Sequence, residues 1–217
     1  MTKINSNTVI LLSDLDGVIL DLNYDINFWK EWLPAELAIK SGEPIAAMRE
    51  NLVSLMKEQE AGLNWYDLNF WDELLDVDCL EIIKAQEERC SFLPGALESL
   101  KEISSLPNPK YILTNGDPRL FHFKSESAQF LDFFDASLCS MQMGYAKEQK
   151  EFWSLASNYL RVDLQNSIFI DDNFKVVTSA VNAGVGQVYW INPGRHKVLQ
   201  NGVETYPSLL KLITAIL

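Results

Sequence analysis

The chain has 217 residues, 47% of them hydrophobic and 22% charged, with a formal net charge of −12. That length can bury one core, or one core and a modest second domain. The apolar runs are too short to span a bilayer, and the acid excess lacks the clustered Lys and Arg that a long nucleic acid requires.

The acidity is uneven. Residues 22–92 hold 15 acidic and 6 basic side chains, and the rest of the chain holds 15 and 12. Residues 1–8 carry no long apolar stretch of the kind that directs secretion. Cys79, Cys90 and Cys139 are odd in number and widely spaced, which fits neither a disulfide framework nor a zinc site. The expectation is a cytoplasmic protein with reduced, partly buried cysteines.

Residues 8–13 read as a buried strand, Val9-Ile10-Leu11-Leu12 being its apolar run. The pattern then turns helical for about seventy residues. Ile45, Met48, Leu52, Leu55, Met56 and Gln59 form one helical stripe. Segments 27–40, 65–75 and 78–90 look similar, with Pro34 near a helix end or kink and with Gly42, Pro44 and Gly62 as punctuation. From Phe92 the style changes. Pro94-Gly95 opens a helix that runs through about Ser104. Short apolar strands at 110–113, 136–139, 167–170 and 186–191 then alternate with helices, and Ser208 to Leu217 forms the last helix. Alternation of this kind predicts an α/β fold, a doubly wound, Rossmann-like parallel sheet. The all-helical stretch interrupts it as an inserted small α-helical cap. The expected division is a core of residues 1–22 and 92–217 and a cap of residues 23–91, joined by two chain crossings that form a hinge.

Four polar stations lie along this pattern: Asp14-Leu15-Asp16-Gly17, Thr114-Asn115, Lys147 and Asp171-Asp172. Three of them directly follow apolar strands. Ligands of open α/β sheets bind beyond the carboxyl ends of the strands, so these groups can converge although a hundred or so residues intervene. Asp14 at a strand end can attack phosphorus. Asp16 can protonate a leaving oxygen and then deprotonate water. Thr114, Asn115 and Gly116 offer donors to phosphate oxygens. Lys147 can offset charge on the nucleophile and the transferring group. Asp171 and Asp172, with Asp14 and Asp16, supply oxygen ligands suited to Mg²⁺. Each station alone has a plainer explanation, a turn, a helix cap or a solvated lysine; the ordered set points to metal-assisted phosphoryl transfer. His122 and His196 join no acid–base arrangement and are expected to be structural.

These residues, in this order, resemble the phosphatase branch of the haloacid dehalogenase superfamily. The resemblance implies Asp14 as nucleophile, Asp16 as general acid and base, Thr114-Asn115 and Lys147 at the phosphate, and Mg²⁺ held by Asp14, the Asp16 carbonyl and Asp172, with Asp171 beside it. The stretches Asp21 to Trp29, Leu63 to Trp71, Gly144 to Glu148 and Phe169 to Asn173 are similar to the bacterial GMP/IMP nucleotidases. The implied substrate is a small phosphate ester, a purine nucleoside 5′-monophosphate. Trp29, Trp32, Trp65, Tyr66, Phe70 and Trp71 are candidates to stack on the base, and Asn64, Asp67 and Asn69 to meet its polar edge. Two positions depart from that group: Ala146, where proline is frequent, and Gly116-Asp117, where Ala-His is expected. Asp117 is expected to be mildly repulsive to phosphate. A sugar-phosphate phosphatase, a phosphomutase and a catalytically silent binding module remain open at this point.

Overall fold

A computed structural model describes residues 9–60, 62–193 and 203–217. Its centre is β1 (Ile10–Ser13), which is followed by an all-helical stretch: α1 (Asn23–Asn27), a π-helical turn (Phe28–Trp32), α2 (Leu33–Ser41), α3 (Ile45–Gln59), α4 (Leu68–Leu75) and α5 (Cys79–Lys84). Helix α6 (Ala96–Ser104) then leads into β2 (Lys110–Thr114), α7 (Pro118–Ala128), β3 (Ala136–Cys139), α8 (Ser140–Met143) and α9 (Lys150–Leu160). The chain ends with β4 (Ser167–Asp171), α10 (Phe174–Asn182), β5 (Gln187–Ile191), β6 (Glu204–Tyr206) and α11 (Leu209–Ile216).

The six strands form one sheet in the order β3-β2-β1-β4-β5-β6, and every pairing is parallel. The chain works outward from β1 on one side, then returns to β4 and works outward on the other. The crevice of such a sheet lies where this order reverses, beside β1. Leu12 of β1 is in register with Tyr111 of β2 and Phe169 of β4, so the carboxyl ends of these strands lie close together.

Side chains alternate across the sheet with period two. Leu11, Ile112, Ile168 and Ile170 pack on one face with Leu100, Leu212 and Ile213 of α6 and α11. Leu12, Leu113 and Phe169 pack on the other with Phe152, Trp153 and Val177 of α9 and α10. Both faces are covered, which is why these strands read as continuous apolar runs. The helical stretch has a third core, including Tyr24, Phe28, Leu52, Leu68, Trp71 and Ile83, to which α7 contributes Leu120 and Phe123.

The expected strands and most helices are present, with local differences. Segment 27–40 is not one helix. Pro34 lacks an N–H and would crowd the carbonyl four residues earlier, so the chain widens into the π-helical turn before α2. The Lys30 carbonyl instead accepts a hydrogen bond from Arg49 Nε at 2.9 Å. Segment 78–90 divides into α5 and a 3₁₀ turn at Glu87–Arg89. Strand β6 was not expected from sequence; its three residues are too few for a periodic signal.

Candidate active site

Asp14, Thr114 and Asp171 stand at the carboxyl ends of β1, β2 and β4, and they border one cavity of about 430 Å³, within the usual range for small-molecule sites. Lys147, on the loop before α9, reaches across the strand ends with its side chain 2% exposed. Its ammonium donates to Asp14 Oδ1 at 2.6 Å, to Asp171 Oδ2 at 2.8 Å and to the Leu113 carbonyl at 2.9 Å. An ammonium has three donors, so Lys147 is saturated and fixed. The loop is clamped by Asn115, whose Oδ1 accepts from Lys147 N at 2.9 Å.

Asp172 completes the cluster: carboxylate oxygens of Asp14, Asp171 and Asp172 lie within 4.8 Å of one another. Asp172 packs so closely over the turn after β1 that a Cβ on Gly17 would sit 2.2 Å from Asp172 Oδ2, and Gly17 also has φ +86°. Both features require glycine there.

The electrostatics of this cluster are unbalanced. Burial pushes the Asp14 carboxyl well above the usual carboxylate range, against the pull of Lys147, with Asp171 and Asp172 adding to the rise. Burial likewise raises Asp171 against Lys147, and burial together with Asp171 pushes Asp172 up to about 7. Burial opposes the charge on Lys147, but Asp14 and Asp171 outweigh it and hold the ammonium above its ordinary range. Three carboxylates face one ammonium, so the ionised cluster carries an excess of two negative charges. A divalent cation with oxygen preference would neutralise that excess, so the donor set fits one.

Asp16 lies beside this cluster and belongs to a second one. Lys124 of α7 donates to Asp16 Oδ1 at 2.7 Å and to both oxygens of Asp25, from α1, at 2.8 and 2.6 Å. Burial and the neighbouring Asp16 carboxylate push Asp25 up to about 6, against Lys124. Neither Lys124 nor Asp25 was singled out from sequence. The signal was present: Leu120, Phe123 and Lys124 share the buried face of α7, and a lysine on an apolar stripe needs a partner.

Glu148, at the end of the Gly144 to Glu148 stretch, ties the helical stretch to the site. It accepts from Tyr66 OH at 3.0 Å, from Asn115 Nδ2 at 2.9 Å and from Asn173 Nδ2 at 3.5 Å. Ala146, where proline was the expectation, uses its N–H to bond Gln149 Oε1 at 2.8 Å. The Gly116 N–H is engaged by Thr114 Oγ1 at 3.0 Å.

Asp117, expected to be mildly repulsive to phosphate, has both carboxylate oxygens engaged. It borders the cavity, but Oδ1 accepts from Arg119 N at 2.7 Å, Oδ2 accepts from Leu68 N at 2.9 Å, and the Arg119 guanidinium lies alongside. One carboxylate thereby caps the N-termini of α7 and α4.

Among the aromatic candidates, Trp29, Trp65 and Tyr66 line the cavity with Leu22, Ile26 and Phe28. Trp71 is fully buried, and Trp32 and Phe70 pack against the helical core. The polar candidates have local work: Asn64 donates to Gln59, and Asp67 caps α4 by accepting from Asn69 N. His122 is exposed and faces Glu126 at 3.5 Å; His196 lies outside the described residues. All three cysteines are free, Cys79 and Cys139 buried and Cys90 partly so. Among the described residues no helix is long and apolar enough to cross a membrane.

Comparison with known proteins agrees with this geometry. The family model of haloacid dehalogenase-like hydrolases matches residues 9–184. The GMP/IMP nucleotidase YrfG of Escherichia coli is 24% identical over 203 residues, covering 94% of this chain and 90% of that protein. The pyrimidine 5′-nucleotidase YjjG of Escherichia coli is 29% identical over 140 residues, covering 61% and 60%. The crystal structure of a HAD phosphatase from Thermococcus onnurineus superposes with a TM-score of 0.81 at 21% identity, covering 96% of this chain and 97% of that one. With the family model spanning most of the sequence and the acidic cluster, lysine and Thr114 hydroxyl gathered at the sheet's switch point, the chain belongs to the haloacid dehalogenase-like hydrolase family and is an enzyme of its phosphatase branch.

Proposed function

We propose that this enzyme is a Mg²⁺-dependent phosphomonoesterase that hydrolyses purine nucleoside 5′-monophosphates, GMP or IMP, to nucleoside and phosphate. The observation that carries the reading is the buried cluster of Asp14, Asp171, Asp172 and Lys147 with its excess of two negative charges. In this reading residues 23–91 are a cap over the core formed by residues 1–22 and 92–217.

Asp14, the carboxylate of Asp172 and the backbone carbonyl of Asp16 would hold the metal. Both oxygens of Asp171 already accept hydrogen bonds, from Lys147 and from Asn173 N, so Asp171 chiefly orients the lysine. Bound Mg²⁺ would supply charge neutralisation for the phosphoryl oxygens. A carboxylate oxygen of Asp14 attacks phosphorus while the ester oxygen departs with a proton from Asp16, leaving an aspartyl-phosphate. Asp16 then takes a proton from water as that water attacks phosphorus, and the bond to Asp14 breaks. Thr114 contributes its hydroxyl hydrogen to the phosphoryl oxygens, and Asn115 the second N–H of its amide. Lys147 stays protonated throughout and keeps the spent and regenerated Asp14 carboxylate in place.

The purine assignment is supported by full-length similarity to a GMP/IMP nucleotidase and by Trp29, Trp65 and Tyr66 on the cavity wall, where flat aromatic surfaces suit a nucleobase. The test is phosphate release from GMP, IMP, AMP, UMP and several sugar phosphates, with Mg²⁺ or EDTA. The expected result is preference for GMP and IMP, lost in EDTA and reduced at least about 10⁴-fold in Asp14→Asn. Release from sugar phosphates alone would overturn the nucleotidase reading and keep the chemistry. Activity undiminished in EDTA or in Asp14→Asn would overturn the chemistry.

A further inference from the structure

We propose that Lys124 is a positioning residue for the proton-transferring carboxylate of Asp16, and that Asp25 makes this hold depend on the helical stretch lying over the cavity. The inference rests on the phosphatase reading above and adds two residues to it. Asp16 and Asp25 both border the cavity, while Lys124 comes at them from α7 with its side chain 2% exposed. Its three N–H donors meet three carboxylate oxygens, Asp16 Oδ1 at 2.7 Å and the two oxygens of Asp25 at 2.8 and 2.6 Å.

This geometry serves proton transfer better than it serves stability. Burying an ammonium is costly, and replacing buried ion pairs with apolar groups is often neutral or stabilising. What the ammonium gains here is direction. It holds Asp16 by Oδ1, which restricts the swing of the carboxylate, and in this proposal Oδ2 exchanges the proton with the leaving oxygen. Asp25 is held by both oxygens and also lies directly against the Asp16 carboxyl. Asp16 follows β1 and Lys124 sits on α7, whereas Asp25 sits on α1 at the start of the helical stretch. The Lys124–Asp16 bond lies outside that stretch, but Lys124 is fully coordinated only when the stretch is docked; without Asp25 two of its donors are released and its aim at Asp16 loosens. An acid aligned best under the closed cavity would protonate the substrate's leaving group in preference to serving solvent.

The experiment compares kcat/KM for GMP with kcat/KM for p-nitrophenyl phosphate in the presence of Mg²⁺. Nucleoside alkoxide needs a proton to leave; nitrophenolate does not. Both ratios end at the first irreversible step, and the quotient of the two on one preparation is independent of the folded fraction. Lys124→Met is expected to lower the GMP-to-nitrophenyl quotient about 10²-fold, Asp25→Asn to lower it in the same direction by less, and Lys124→Arg to recover part of the loss. An unchanged quotient in Lys124→Met overturns the positioning role even if overall activity falls. A drop in Lys124→Met with no change in Asp25→Asn overturns the dependence on the helical stretch. Wild-type enzyme that releases phosphate from neither compound overturns the phosphatase reading, and the inference with it.

Discussion

Asp172 shows how far a single residue is shaped by the site's unmet charge. It is pressed over Gly17 and stands beside Asp171, and without a cation its carboxyl is pushed from 3.8 up to about 7 by burial and then by Asp171. An acid raised in this way makes the folded chain the stronger proton binder. Its contribution to stability is full below pH 3.8 and is lost as pH rises through about 7, a change of at most about 4 kcal/mol. Metal binding has the opposite dependence, because the ligands must shed protons to bind. In EDTA, the thermal midpoint is therefore expected to fall between about pH 5 and pH 7.5, with a shallower fall in Asp172→Asn. Added Mg²⁺ is expected to raise the midpoint more at the upper pH than at the lower. Parallel pH slopes for the two proteins in EDTA would sink the assignment of the strain to Asp172.

At the scale of elements, the site depends on helix ends as much as on strand ends. Asp117 caps α7 with Oδ1 and α4 with Oδ2, and Arg119 continues from Asp117 to Asp72 of α4 at 3.2 Å. Each cap is worth about 1 kcal/mol, so Asp117→Ala is expected to cost about 2 kcal/mol in urea unfolding. Asp117→Asn, which keeps one acceptor, is expected to cost roughly half as much. Because Trp65 and Tyr66 directly precede α4 and line the cavity, the alanine variant is also expected to raise KM for GMP more than it lowers kcat. A wild-type urea midpoint in Asp117→Ala would refute the double cap. The four polar stations were legible because each follows an element with a strong local signal, and three of them sit at the ends of apolar strands. The double cap was not, because its second partner, Leu68, lies 49 residues earlier in the chain. The π-helical turn was legible only as the disturbance that Pro34 would cause, since the compensating donor, Arg49, is on the next long helix.

Across the whole molecule, the sheet was easier to read than the seat of the helical stretch upon it. Parallel strands buried on both faces announce themselves as apolar runs, and the order of stations follows from their alternation with helices. The docking of the stretch relies on distant polar pairs: Asp25 with Lys124, Tyr66 with Glu148, Asp72 with Arg119 and Glu60 with Lys175. The last is widely exposed and contributes little; the buried and half-buried pairs lie next to the cavity, beside the apolar contact that Leu120 and Phe123 of α7 make with the helical core. They bring with them a segment holding 15 acidic against 6 basic side chains. A substrate thus approaches a site that is itself acidic through an acidic surround, and the field disfavours phosphates of higher charge. If the purine reading holds, kcat/KM at low salt is expected to fall in the order GMP, GDP, GTP. Since exposed charges are screened over about 8 Å at physiological ionic strength, the gap between GMP and GTP is expected to narrow as salt is raised at fixed free Mg²⁺. A gap that persists at high salt would place discrimination in cavity shape instead, and GTP turned over as efficiently as GMP would remove the electrostatic argument altogether.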